Sequence, residues 1–153
     1  MKYLLPLLVL CTPAAAIAAS NVTLASNVFV ERVKQDPSGK RSTVLEAPKV
    51  VTPGDKLVFE LSYRNGGGEP ASDFVVTNPI PDAVAFAGTE GESALVSIDG
   101  GTSWGLLPAL KVRQPDGTFR AALPSDVTHV RWRFSKPINA GETGKLGFRG
   151  VVK

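Results

Sequence analysis

Thr52-Pro53-Gly54-Asp55 leads into Lys56-Leu57-Val58-Phe59-Glu60-Leu61-Ser62-Tyr63-Arg64, which ends at Asn65-Gly66-Gly67-Gly68. Apolar and polar residues alternate through the middle of this stretch, and both ends carry turn chemistry. Successive strand side chains point to opposite faces, so Leu57, Phe59, Leu61 and Tyr63 fall on one side and Val58, Glu60, Ser62 and Arg64 on the other. Proline presets φ, while glycine and asparagine accept positive φ, so the flanks stop the chain from continuing as a helix.

The same period of two recurs on either side. Val130-Arg131-Trp132-Arg133-Phe134 alternates apolar residues with arginines, and Leu146-Gly147-Phe148-Arg149-Gly150-Val151-Val152 puts Leu146 and Phe148 on one face. Asp36-Pro37-Ser38-Gly39 separates Val28–Val33 from Thr43–Leu45, and Gln114-Pro115-Asp116-Gly117 separates Leu110–Val112 from Phe119–Ala121. Early Pro and late Gly suit type I turns with a bulge. Adding Phe74–Thr77 and Leu95–Ile98 gives about nine strands, and no apolar i, i+3, i+4, i+7 pattern competes. The expectation is an all-β fold, an antiparallel β-sandwich of about 7–9 strands, with Phe59, Leu61, Tyr63, Trp132, Phe134 and Phe148 in its core.

The N-terminus reads differently. Lys2, the apolar run Tyr3 to Leu10 and the small residues up to Ala16-Ile17-Ala18-Ala19 have the order of a secretory signal peptide. The run is too short and proline-broken for a spanning helix, which needs about 20 residues. Residues 1–19 are therefore expected to be removed, leaving 20–153 as one exported domain with no transmembrane anchor, in the periplasm or at the cell surface. Leu10 stands where a lipoprotein signal needs a small residue before Cys11. Removal takes Lys2 from the 17 basic residues and leaves all 14 acids, so the net charge of +3 falls further. It also removes the single cysteine, which excludes a disulfide framework and a Cys-containing zinc site.

The motif order around the deciding strand carries a resemblance. Pro53-Gly54-Asp55, the alternating strand ending at Tyr63 and Asn65, the valine-rich Phe74-Val75-Val76-Thr77 and the turn Asn78-Pro79-Ile80-Pro81 follow one another. Val130-x-Trp132, Ala140-Gly141-Glu142 and Leu146-x-Phe148 close the chain. Together, from about Val50 to Lys153, they resemble the DUF11 repeat domain, although Asn78 stands where that family usually has Asp. The resemblance implies an immunoglobulin-like sandwich of bacterial and archaeal surface proteins, with no known enzymatic activity as a class; no cofactor is expected.

Ser97-Ile98-Asp99-Gly100-Gly101-Thr102-Ser103-Trp104 resembles the Asp-box. Ser97, Asp99, Gly101 and Trp104 are expected to build a structural turn in which Asp99 accepts backbone N–H bonds and Trp104 folds back. A sialidase repeats this box over a much longer chain. Asp73, Asp82, Glu90, Glu92, Asp99 and Asp116 match no calcium-loop spacing, and six or more oxygens would have to converge. His129 is the only histidine and has no evident partner, and no G-x-S-x-G nucleophile turn is present. The sequence is therefore read as non-catalytic, with no metal.

Two binding readings remain. If the strands around Trp132 and Phe148 are neighbours, Arg131, Arg133, Lys145 and Arg149 share a face that suits an acidic polysaccharide. The β-prone segment Asn21 to Lys34 either pairs in its own sheet or completes a neighbour's edge in a donor-strand filament. Expected partners are other surface proteins, further copies of the chain or acidic glycans, and not nucleic acid.

Overall fold

The computed structural model describes residues 21–90 and 94–153. The segment read as a signal peptide, Cys11 and Glu92 lie outside them. Ten strands follow in order: β1 (Val22–Gln35), β2 (Arg41–Glu46), β3 (Lys56–Asn65), β4 (Val75–Pro79), β5 (Val84–Glu90), β6 (Leu95–Ser97), β7 (Lys111–Arg113), β8 (Phe119–Ala121), β9 (His129–Arg133) and β10 (Thr143–Val152). Two short 3-10 turns, Leu107–Ala109 and Pro124–Asp126, interrupt them. Among the described residues no helix is long and apolar enough to cross a membrane.

The protein is all-β. A five-stranded antiparallel sheet runs β2-β1-β3-β10-β5, a three-stranded one runs β4-β9-β6, and β7 and β8 form a separate hairpin. Alternation turns one face of each larger sheet into a common core. Val30, Leu57, Phe59, Leu61, Leu146 and Phe148 from the first sheet pack in one cluster with Val76, Val96, Val130 and Trp132 from the second. Phe59 and Phe148 lie directly opposite each other on β3 and β10 and stack, with centroids 4.3 Å apart and planes 5° from parallel. Trp132 packs against Phe148 from the other sheet, at 6.4 Å.

Four of the six core residues expected from the sequence are buried; Tyr63 and Phe134 are only partly so. They meet edge to face at 5.0 Å, with Phe74 against Phe134, at the rim of the cluster. Val58 departs in the opposite sense. It belongs to the outward row of β3 yet is only 3% exposed. Arg149 stands opposite it on β10, and the pairing of Arg149 with Glu31 of β1 and Glu90 of β5 draws the guanidinium across that face.

The expected turns form. Asp36 and Gln114 each exchange backbone bonds across their loops, and Gly39 and Gly117 supply φ of +86° and +85°. At the end of β3, Asn65 is fully buried and fully bonded. Its amide donates to the carbonyls of Glu69 and Ile138, both at 2.8 Å, and its Oδ1 accepts from the Gly67 N–H. A buried amide so satisfied fastens β3 to two loops that the sequence presents only as punctuation.

Candidate functional site

Chemistry-bearing residues gather at the turn after β6. Ser97 ends that strand fully buried, and Gly100 and Gly101 take φ of +73° and +90°, which allows the chain to reverse tightly. Inside the turn, Asp99 Oδ1 accepts from Ser97 Oγ (2.7 Å), the Thr102 N–H (3.1 Å) and the Ser103 N–H (2.9 Å), while Oδ2 accepts from Ser103 Oγ (2.5 Å). Ser97 Oγ in turn accepts from the Gly101 N–H at 2.9 Å. These donors, the Ser103 hydroxyl first, stabilise the charged carboxylate and hold its pKa down to about 2.

Trp104 folds back so that its indole N–H donates to the Gly101 carbonyl at 3.0 Å. The turn is tied to β9 through Thr128, whose hydroxyl accepts from the Gly100 N–H and donates to the Ser97 carbonyl. His129 packs edge-on to Trp104 at 6.3 Å, and its Nδ1 lies 3.0 Å from the Thr128 hydroxyl.

The four cations do not come together as the sequence reading required. β9 pairs with β4 and β6, whereas β10 pairs with β3 and β5, so the strands carrying Trp132 and Phe148 belong to different sheets. Both aromatic rings point into the shared core. The cations that alternate with them therefore point away from it, Arg131 and Arg133 on one sheet and Lys145 and Arg149 on the other.

Each pair has its own surroundings. The Arg131 guanidinium lies 3.7 Å above the Trp104 ring and donates from Nε to Thr77 Oγ1. A cation so placed is attracted by the ring's negative face. Lys145 pairs with Glu60 at 3.0 Å, and Arg149 is held between Glu90 and Glu31, whose hydrogen bonds and charges raise its pKa. The signal for that pairing was present in the alternation of Glu31 and Glu60 with apolar residues, but their neighbours are fixed only by sheet order.

The remaining perturbed acids follow the pattern of Asp99. Asp55 takes a bidentate bond from Arg32 and a backbone bond from Thr52, and Asp126 takes one from Arg120 and one from the Leu123 N–H. Both are held down to about 2, chiefly by their arginines. Asp73 sits at a positive φ of 54°, in a bend before β4. Among the described residues no three His, Cys, Asp or Glu side chains group closely enough to hold a metal ion. No family model matches the chain, and neither does any curated protein or solved structure.

Proposed function

We propose that the protein is an exported, non-catalytic structural or adhesive module of the periplasm or cell surface, built as an immunoglobulin-like β-sandwich of the DUF11 type. The observation that carries this reading is what its strongly perturbed carboxylates are engaged in. A general acid or base working near neutral pH needs a pKa moved toward that pH. Asp55, Asp99 and Asp126 move away from it, each held by a turn amide, a neighbouring hydroxyl or an arginine that also ties the fold together. Their charge is used to fix loops. One core shared by two antiparallel sheets supports the sandwich architecture.

Fractionation of the native cells, N-terminal sequencing of the protein and electron microscopy of the extracellular fraction test this reading together. A processed chain beginning at Ala19 or Ser20 in the periplasmic or extracellular fraction is the expected result. An unprocessed chain retained in the cytoplasm refutes it.

A further inference from the structure

The five-stranded sheet has a strand position that nothing among the described residues fills. β1 pairs with β3 along Val22–Val30, but β2 covers its other side only along Val30–Gln35. The direction of the backbone groups follows from the bonds at the two ends. The Gly66 N–H donates to the Asn21 carbonyl, so the odd residues of β1 bond to β3. The Asp36 N–H donates to the Lys40 carbonyl, so the even residues bond toward β2. Both ladders keep a constant register, which leaves Val22, Leu24, Ser26 and Val28 with their N–H and C=O groups aimed at the open edge.

Three further observations say what fits there. Natural edge strands carry charges, prolines or bulges that block pairing. Asn21 to Phe29 contains none of these, and the charges of β1 begin at Glu31, where β2 already covers it. Leu24, on the core-facing row, is 49% exposed, whereas Val30 on the same row, flanked by strands on both sides, is 3% exposed. The gap is also short, closed at one end by the start of β1 and at the other by Glu46 opposite Val30.

We infer that a second copy of this chain fills the position, its β1 lying antiparallel to the first across a two-fold axis through Ala25. That register opposes Val22 with Val28 and Leu24 with Ser26 of the second copy. It uses all four edge residues and stops before β2. Because the segment is uncharged, a copy of itself brings no repulsion, and the neighbouring apolar side chains cover Leu24. Ala25 meets its own equivalent on the outward face, where the direct pair of a wide antiparallel ladder approaches closely. The product is a closed dimer with one continuous sheet, distinct from a donor-strand filament, because β1 stays in its own sheet. The inference rests on sheet geometry alone and holds wherever the protein is located.

Sedimentation velocity of the protein purified from its native cells, over micromolar to millimolar concentrations, is expected to show a monomer–dimer equilibrium. Ser26→Pro, which deletes an N–H aimed at the open edge, is expected to abolish the dimer. Ala25 is exposed, so Ala25→Lys and Ala25→Glu each leave the monomer's melting temperature unchanged. Each is expected to weaken dimerisation by about two- to fivefold, while their equimolar mixture associates more tightly than either alone. A monomer at every concentration, open-ended polymers, a dimer unaffected by Ser26→Pro, or no preference in the mixed charge variants would each overturn the inference.

Discussion

Truncating Phe148 to Ala tests the shared core most directly. Phe148 is fully buried, stacked on Phe59 within its own sheet and touched by Trp132 from the other. Removing the ring deletes its transfer free energy and leaves a cavity whose walls come from two sheets that cannot collapse independently. The expected cost is about 3–5 kcal/mol. With planes near parallel and centroids 4.3 Å apart, the Phe59–Phe148 pair is an offset stack, which adds about 0.5–1.5 kcal/mol beyond area burial. Phe59→Ala should therefore be less damaging in the Phe148→Ala background, by that coupling energy. For a domain of this size the single change corresponds to a fall of about 10–20 °C in melting temperature. Equilibrium unfolding in urea, followed by tryptophan fluorescence, to which Trp104 and buried Trp132 both contribute, gives all four corners of the cycle. A cost for Phe148→Ala below about 1 kcal/mol, typical of an exposed site, would refute the common core, and strictly additive double-mutant energies would refute the stack between β3 and β10.

Two further outcomes follow from the same geometry. A β-carbon at Gly150 would clash with Val84 Cγ1 and sit 3.2 Å from the Ala85 carbonyl oxygen, so Gly150→Ala should displace β5 from β10 and cost about 1–3 kcal/mol in thermal unfolding; an unchanged midpoint would contradict the register. Asp55, Asp99 and Asp126 have folded pKa values near 2, below the ordinary value of about 3.9. The unfolded chain thus binds protons more readily than the native one as acid is added. Their stabilisation is complete above about pH 5 and is lost between about pH 4 and pH 2. Melting temperatures across that range should fall steeply, with a smaller fall in Asp99→Asn because one contributor is already gone. A flat profile would show that these contacts are not maintained in solution.

The chain's own pattern was enough to place most strands, because strand alternation and turn chemistry are local. Lys56 to Arg64 alternates clearly from Phe59 onward and forms β3 nearly as read, and the two Pro-x-Gly loops make their hairpins. β5 was not visible, for a specific reason. Val84 and Phe86 alternate with Ala85 and Ala87, so the polar half of the pattern is missing, and Gly88, at φ +123°, lies where the ladder shifts register between Arg149 and Gly150. β1, by contrast, runs over nearly the whole β-prone segment read from Asn21 to Lys34, with Val22 to Val30 paired to β3.

Within the candidate site the division is sharper. The Asp99 turn was legible because every bond that builds it falls between residues 97 and 104, with Thr128 alone reaching in from elsewhere. The cation group was not, since its unity depended on which strands lie side by side. Alternation states which residues share a face of one strand, but it carries no information about that strand's neighbour. Loop paths and the burial of Trp132 and Phe148 from opposite sides settle the neighbours, sending Arg131 to Trp104 and Arg149 to Glu31 and Glu90. The sequence by itself thus determined an all-β chain and its local turns. Sheet order, the ion pairs across it and the open edge of β1 were decided only by tertiary structure, because each depends on contacts between segments far apart in the chain.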